Sequence, residues 1–310
     1  MKIAVTGATG FVGRHLAAAL AVNGDVVVPI SRGNRGPTAT PVNVTDADAL
    51  TAAFSGCDVV VHLAGINFER EQSFIDAHVR GTRSVVGAAK RAGVPRVVML
   101  SFLGARPDCG SPYHETKWEA EEIVRHSGLA YTIVKAGMIV GDGDHGLDSL
   151  ARSIATIPMF ATLPRTIVAP VAVDDVVRIL DAAAHGRLDS CTVAAVGPDA
   201  MSLARMAWIV AGSLDRPLVV FATPLVVHRA IARVGEHIMR VPLVSRAQLT
   251  MLRENIVEPA TNVDPLPAWL LPSVRLDRNF VRSNAPRGRF HLSDLRCTPQ
   301  RWDLGARSVA

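Results

Sequence analysis

Short apolar runs alternate with helix-length segments over the first 140 residues of the chain. Each run is bounded by glycine or polar turn residues, which is typical of parallel strands buried on both faces. These predicted strands span residues 2–6, 25–30, 59–63, 96–101 and 131–140. Helices are predicted between them at 12–23, 76–91 and 117–125. The alternation indicates an α/β fold, a doubly wound parallel sheet with right-handed crossovers.

The pattern loosens after about residue 145, where helices are predicted at 174–184 and 202–214 and a strand at 192–196. The most amphipathic segment is 225–240. We expect a helix with its apolar side towards the core and its basic side in solvent, and contact with a partner or a membrane surface is the alternative. The apolar side comprises Val227, Ile231, Val234 and Ile238, and the polar side comprises Arg229, Arg233, Glu236 and Arg240.

Charge and cysteine usage exclude several classes of protein. The 310 residues carry a formal charge of +5, which comes from residues 275–310 with eight Arg against three Asp. The rest of the chain is neutral, which argues against a nucleic-acid-binding face. The four cysteines have no metal-ligand spacing and predict reduced thiols in a cytoplasmic protein without a metal site. Apolar runs shorter than about 20 residues predict no transmembrane segment.

A glycine-rich loop follows the first predicted strand and opens the first helix. Residues 6–13 read TGATGFVG, with Gly7, Gly10 and Gly13 in G-x-x-G-x-x-G spacing. This context predicts a dinucleotide site, because glycines permit a tight turn, close approach of a pyrophosphate and close helix packing, while the helix start supplies free N–H groups. The predicted contacts are Gly7, Thr9, Gly10, Phe11, Val12 and Gly13.

The end of the second predicted strand bears on which nicotinamide cofactor binds. An NAD site usually has a carboxylate there for the ribose 2′-hydroxyl, whereas this chain has Ser31 and Arg32, with Arg35 close behind. A guanidinium binds a 2′-phosphate, so we expect NADP(H) in preference to NAD. The alternative is that both arginines belong to an ordinary polar loop.

Four further segments resemble motifs of the short-chain dehydrogenase/reductase superfamily, in its extended and atypical branches. Residues 58–65 read DVVVHLAG, similar to D-x-V-x-H-L-A, and residues 113–117 read YHETK, which fits Y-x-x-x-K. Residues 171–177 resemble V-x-V-x-D-V-A, and Asn43 and Val44 stand where the family has an Asp and an adenine-contacting residue. The resemblance covers residues 1 to about 260 and implies a Rossmann fold that binds a nicotinamide dinucleotide.

The resemblance also implies further cofactor contacts and a subgroup. Residues 249–255, LTMLREN, are similar to an atypical subgroup related to the nucleotide-binding accessory subunit of respiratory complex I. The implied contacts are the backbone of Leu63, Ala64 and Gly65, the segment holding Ala136 and Met138, and Lys117 at the nicotinamide ribose. On this basis we expect residues 1–145 to form the dinucleotide-binding domain, joined by part of 165–200. Residues 146–286 would form a smaller substrate-side region, and 287–310 an arginine-rich tail.

Tyr113 and Lys117 are the candidate catalytic pair. Hydride transfer to a carbonyl needs a proton donor beside the nascent alkoxide, and residues four apart lie on one helix face. An ammonium beside a tyrosine favours the phenolate, so we expect Lys117 to lower the pKa of Tyr113. Ser101, at the end of the fourth predicted strand, is the candidate hydroxyl for polarising the carbonyl.

The catalytic part of the family pattern is incomplete in this chain. Phe102 and Leu103 occupy the places where extended members carry Ser or Thr, and His78 stands where many carry Asn. Lys135 also departs from the usual R-P-G segment. Two hypotheses follow: an NADP(H)-dependent oxidoreductase or epimerase acting on a small carbonyl or hydroxyl substrate, and a non-catalytic NADP(H)-binding structural or sensor protein.

The substrate is expected in the crevice at the carboxyl ends of the strands, covered by the C-terminal part. Residues 157–163 and 218–227 are apolar and would suit a hydrophobic substrate better than a nucleotide sugar. The chain is expected to be a monomer or homodimer with no nucleic-acid partner. Peripheral membrane contact stays open.

Overall fold

The computed structural model describes residues 1–32, 40–67, 69, 72–238, 249, 252–255, 257–285 and 288–289. Three sequence-based expectations fall wholly or partly outside these residues. They concern Arg35, the arginine-rich tail 287–310 and the segment 249–255.

A seven-stranded, wholly parallel sheet forms the centre of the fold, in the order β11-β6-β5-β4-β1-β2-β3. The predicted doubly wound α/β architecture is therefore confirmed. The strands are β1 (Lys2–Thr6), β2 (Val26–Ser31), β3 (Thr40–Pro41), β4 (Val59–His62), β5 (Arg96–Phe102), β6 (Ala130–Ala136), β7 (Ile139–Val140), β8 (Met159–Thr162), β9 (Ile167–Val168), β10 (Val171–Ala172), β11 (Cys191–Ala195), β12 (Met201–Ser202) and β13 (Val219–Ala222).

Helices cover both faces of the sheet, because alternate residues of a strand point to opposite sides. Ile3 and Val5 pack towards the helices of residues 11–22 and 173–184, whereas Ala4 packs towards the helices of residues 47–54 and 81–91. The helices are α1 (Phe11–Val22), α2 (Ala47–Phe54), α3 (Gly81–Arg91), α4 (Pro112–Arg125), α5 (His145–Thr156), α6 (Val173–Ala184), α7 (Leu203–Ser213), α8 (Leu225–Ile238) and α9 (Arg278–Asn284). A π-helical turn (Ile75–Arg80) leads directly into α3.

The two edges of the sheet are built differently. At one edge, β3 is two residues long and ends in Pro41, paired with Ser31 of β2. At the other edge, Asp264 lies against β11: its N–H donates to Thr192 O at 2.6 Å, and the Thr192 N–H donates to Asp264 Oδ2 at 2.9 Å. A single residue with its carboxylate thus takes the place of a further strand.

A second apolar cluster lies beside the sheet, built from α5, α7 and α9. Leu147 and Ile154 of α5 pack there with Val210 of α7 and Val281 of α9. Three short strand pairs contribute residues to this cluster: β7 with β10, β8 with β13 and β9 with β12. Among the described residues, no helix combines the length and apolar character needed to cross a bilayer.

The predicted orientation of the amphipathic segment 225–240 is wrong for α8. Val227, Ile231 and Val234 are 42, 43 and 55% exposed, although they were expected to face the core. The buried side consists of His228 and Ala232, because the helix packs on Leu163 and Leu249 through that side. The side chains of Glu236, Ile238 and Arg240 lie outside the described set.

Candidate functional site

The glycine-rich loop is closed so tightly that side chains cannot be added at two of its positions. Gly7 has φ +72°, and a Cβ built there would lie 2.8 Å from Ala64 N. A Cβ at Gly13 would lie 2.2 Å from Gly7 O. Gly7 also donates its N–H to Ile30 O at 2.9 Å, which links the loop to the end of β2. Glycine is required at both positions because their space is filled by backbone.

Helix α1 begins at Phe11 with Gly10 as its N-cap, and no side chain caps its first turn. The free N–H groups and the positive end of the helix dipole therefore face the loop, an arrangement that fits a phosphate group. Thr9, in the loop, is exposed, and Val12, in the first turn of α1, is buried. The residues present thus fit the pyrophosphate of a dinucleotide.

The end of β2 carries a positively charged side chain. Ser31 is buried, and exposed Arg32 donates a hydrogen bond from Nη1 to Gln72 Oε1 at 2.7 Å. Gln72 therefore holds the guanidinium in place, a contact that the sequence did not indicate.

Asn43 and Val44 follow β3. Asn43 Oδ1 accepts a hydrogen bond from Thr45 N at 3.2 Å. Val44 is buried, and a Cβ on Gly81 would lie 3.0 Å from its Cγ2. Val44 thus presents a fixed apolar surface next to the start of α3.

The chain after β4 crosses the carboxyl end of β1. Leu63 donates its N–H to Thr6 O at 3.1 Å, and His62 Nδ1 lies 2.7 Å from Thr6 Oγ1. On the other side of the ring, His62 Nε2 lies 3.0 Å from Thr82 Oγ1. Burial lowers the pKa of His62 to about 3, so the imidazole is neutral and structural. Together these bonds fix the backbone of Ala64 and Gly65 against the glycine loop.

Tyr113 and Lys117 lie one turn apart on α4, as predicted. A Cβ built on Gly65 would lie 3.3 Å from Lys117 Nζ, so the ammonium reaches the loop that follows β4. Burial lowers the pKa of Lys117 to about 8, opposed by the negative charge of Glu121. Near neutral pH this lysine remains largely protonated.

Tyr113 is enclosed by an aromatic wall. Its ring contacts Phe74, Phe102 and His78 edge to face, with ring centroids 5.3–5.5 Å apart. Burial raises the pKa of Tyr113 above its usual range. The expected lowering of this pKa by Lys117 is therefore not what the structure shows, because removal of water disfavours the phenolate. The phenol lies 3.5 Å from Asn67 Oδ1, a neighbour that the sequence analysis missed.

His78 connects the Tyr113 helix to the loop after β4. Its Nδ1 lies 3.0 Å from Thr116 Oγ1, and its Nε2 lies 3.1 Å from Ile66 O. Burial lowers its pKa, with a further contribution from the positive charge of Lys117. The ring therefore stays neutral, stacked on Phe74 at 5.5 Å.

Ser101 does not face the Tyr113 hydroxyl in the way that its predicted role requires. Its Oγ donates to Glu121 Oε1 at 2.5 Å, and both side chains are buried. Alternate residues of β5 point to opposite sides, so Phe102, not Ser101, contacts Tyr113. The proposed polarisation of a carbonyl by Ser101 is corrected accordingly: the hydroxyl is occupied by a carboxylate.

Glu121 belongs to a buried ionic network that the sequence analysis did not identify. Lys135, fully buried at the register partner of Ser101, donates from Nζ to Glu121 Oε2 at 3.1 Å and to Ala105 O at 3.0 Å. Arg125 adds a third contact, with Nη2 at 2.8 Å from Glu121 Oε2. The signal in the sequence was the charged Lys135 inside an apolar strand.

The segment after β6 lies at the same end of the sheet. Ala136 is buried and accepts a hydrogen bond from Leu103 N at 2.9 Å. Met138 O accepts from Val171 N at 2.9 Å, and its side chain packs on the cluster of α5 and α7. Met138 thus connects the segment after β6 to the second apolar cluster.

The chain is similar to several known proteins. It is 34% identical over 191 residues to "Ceramide reductase" of Caulobacter vibrioides, covering 56% of this chain and 57% of that protein. It is 28% identical over 246 residues to the mitochondrial "NADH dehydrogenase [ubiquinone] 1 alpha subcomplex subunit 9" of Mus musculus, covering 74% of this chain and 65% of that protein. The chain therefore spans less than two thirds of the length of each.

The fold is shared with a solved nucleoside-diphosphate-sugar epimerase from Staphylococcus aureus. The TM-score is 0.73 at 15% sequence identity, over 91% of this chain and 100% of the other. A family model described as NAD(P)H-binding matches residues 7–176, which include the glycine loop and the Tyr113–Lys117 helix. This match covers more than half of the chain, which therefore belongs to the NAD(P)H-binding family.

Proposed function

We propose that the chain is an NADP(H)-dependent oxidoreductase that reduces a carbonyl group, or oxidises the corresponding hydroxyl, on a substrate with an apolar body. The observation that carries the proposal is the Tyr113–Lys117 pair on one face of α4 at the carboxyl end of the sheet. The ammonium reaches Gly65, in the segment expected to lie along the cofactor. Bound NADPH would supply the hydride.

The proton is assigned to Tyr113. Its raised pKa keeps the phenol protonated at neutral pH, as a donor to a developing alkoxide requires. Asn67 Oδ1, at 3.5 Å, can orient the hydroxyl. Lys117, with a pKa of about 8, binds the nicotinamide ribose and stabilises the phenolate that remains after proton transfer.

Arg32 supports NADP(H) over NAD. The guanidinium, held by Gln72, offers a positive charge and bidentate donors where an NAD site has a carboxylate. A 2′-phosphate would therefore be attracted at the end of β2.

The apolar body of the substrate is inferred from the aromatic wall around Tyr113. Phe74, Phe102 and Tyr113 form one apolar cluster, with Ile66 and Trp118 packed against it. Such a wall binds hydrocarbon better than the polar rings of a nucleotide sugar. The name of the Caulobacter relative, a ceramide reductase, agrees with a long-chain substrate.

The test is NADPH oxidation by the full chain with long-chain keto amides and keto esters, compared with Tyr113→Phe. We expect that variant to lose about 10²–10⁴-fold in kcat while its Kd for NADPH stays within about twofold. Tyr131→Phe is the matched control, since the chain has only these two tyrosines. Equal turnover by Tyr113→Phe and the unaltered chain would exclude the proposed role of Tyr113.

A non-catalytic NADP(H)-binding role is the second candidate. It is favoured by the hydrogen bond from Ser101 to Glu121. A hydroxyl that donates to this carboxylate does not polarise a substrate carbonyl. This candidate predicts tight NADPH binding with no turnover of any carbonyl substrate. In that case Tyr113→Phe should leave both binding and the cofactor-induced rise in Tm unchanged.

A further inference from the structure

Helix α8 carries an apolar surface that the described residues do not cover. We define the outer face of α8 as Val227, Ile231 and Val234, which are 42, 43 and 55% exposed. Residues three and four apart share a side of a helix, so the three form one stripe. The buried residues His228 and Ala232 lie on a different side, since each residue turns the helix by about 100°.

Exposed apolar residues also occur in the strand that precedes α8. Val219 and Phe221 of β13 are 62 and 38% exposed, and residues two apart point to the same side of a strand. Val226, at the start of α8, is 71% exposed. Large apolar residues cluster here within sixteen positions, residues 219–234, whereas singly exposed apolar residues are ordinary on a protein surface.

A row of basic residues lies on the third side of α8, separate from both the outer face and the buried side. Arg229, Arg233 and His237 are exposed and follow one another at intervals of four along α8. The sequence of α8 contains one acidic residue, Glu236. An apolar stripe beside a basic row is the pattern of helices that lie in a lipid–water interface, where acyl chains meet anionic headgroups.

We propose that α8 and β13 form a docking surface for an anionic lipid bilayer, with α8 lying in the plane of the interface. The outer face would enter the boundary between headgroups and acyl chains, and Arg229 and Arg233 would bind lipid phosphates. A second copy of this chain fits less well, because α8 contains a single acidic residue, Glu236, and would offer the arginine row of the other copy little opposite charge. The proposal is independent of the enzymatic activity proposed above.

A short contact path joins the docking surface to the Tyr113 helix. Leu249 packs against Ala232 of α8, and Leu252 is packed against the same cluster. Two residues later, Glu254 Oε2 lies 2.8 Å from Arg106 Nη2 and 3.4 Å from His114 Nε2. The residues that pack against α8 are therefore close in sequence to Glu254, which contacts His114, the residue after Tyr113.

The test is co-sedimentation of the full chain with vesicles of phosphatidylcholine containing about one third phosphatidylglycerol. We expect the unaltered chain to sediment, and Ile231→Asp with Val234→Asp to lower the partition coefficient at least about tenfold. The matched control is Val22→Asp with Val26→Asp, at positions 87 and 61% exposed elsewhere on the surface. Circular dichroism melts of the two double variants should agree, because each adds two carboxylates at exposed positions.

Charge is tested separately with Arg229→Glu and Arg233→Glu together. We expect this variant to lose the dependence of binding on phosphatidylglycerol and on salt, whereas Arg83→Glu with Lys90→Glu, on α3, keeps both. The proposal is overturned if the unaltered chain stays in the supernatant or if the α8 variants and their controls sediment equally. It is also overturned if light scattering shows a dimer that Ile231→Asp converts to a monomer without any change in lipid binding.

Discussion

Ser101 Oγ donates a hydrogen bond to Glu121 Oε1 across 2.5 Å, between a strand and a helix that both lie beside the candidate active site. Lys135 and Arg125 meet the other oxygen of the same carboxylate. Three side chains thereby contact the buried Glu121 carboxylate. The network anchors α4, and therefore Tyr113 and Lys117, to β5 and β6.

Glu121→Gln should destabilise the protein by about 3–5 kcal/mol, since it leaves the Lys135 ammonium buried without its counter-charge. Urea unfolding followed by circular dichroism measures this loss. Glu119→Gln, on the same helix with a side chain 53% exposed, is the control and should change the free energy of unfolding by less than about 0.5 kcal/mol. Equal effects of both variants would show that the buried network contributes nothing specific.

Gly13→Ala should abolish tight NADPH binding, because the new Cβ would lie 2.2 Å from Gly7 O and the loop would have to move. We expect a loss in affinity of at least about 100-fold, measured by nicotinamide fluorescence, with destabilisation of about 1–3 kcal/mol. Gly87→Ala on α3 is the matched control, because a Cβ built there would lie 3.8 Å from Arg91 Nη1, an ordinary van der Waals contact. That variant should bind normally and gain about 0.5–1 kcal/mol. Unchanged affinity in Gly13→Ala would contradict the assignment of the loop.

Arg32→Ala should lower the preference for NADPH over NADH by about 10–100-fold, because the 2′-phosphate loses a charge-assisted partner. The ratio of the two dissociation constants measures the effect. Gln72→Ala should lower the same ratio less, since it only frees the guanidinium that its amide oxygen holds at 2.7 Å. Lys90→Ala, exposed on α3, controls for the removal of a positive charge. If Arg32→Ala weakens the binding of both cofactors equally, the preference does not arise at this residue.

The free energy of unfolding should fall as the pH drops below 6.5. Burial lowers the pKa values of His62, to about 3, and of His78, so the unfolded chain binds protons in this range that the folded chain does not. Each histidine contributes a slope of up to about 1.4 kcal/mol per pH unit. Urea unfolding between pH 6.5 and about 5, above most carboxylate titrations, measures this slope.

His62→Gln should reduce the slope of the unfolding free energy against pH by the equivalent of about one bound proton, whatever the substitution does to the absolute stability. His126→Gln is the control, because His126 has a side chain 78% exposed. An identical slope in the His62→Gln variant and the unaltered chain would mean that His62 becomes protonated in the folded state.

The architecture and the cofactor loop were predictable because both depend on local pattern. Apolar runs defined the strands of the sheet, and glycine spacing identified a loop whose geometry tolerates no Cβ at Gly13. The convergence of Tyr113 and Lys117 followed from helix periodicity alone.

The errors concern contacts between residues far apart in sequence. Periodicity showed that α8 is amphipathic but not which side is covered, and the covering side proved to be that of His228 and Ala232. Ser101 was interpreted without its partner, because nothing in the sequence pairs a strand residue with Glu121, twenty positions later. The pKa of Tyr113 likewise depends on Phe74 and Phe102, which approach the ring only in the folded chain.

The edges of the central sheet bear on how the protein behaves at high concentration. Pro41 offers no N–H at one edge, and at the other the Asp264 carboxylate already accepts the N–H of Thr192. A strand from another chain would therefore find no N–H donor at Pro41 and an N–H that is already bonded at Thr192. Edge-to-edge pairing is disfavoured at these two positions.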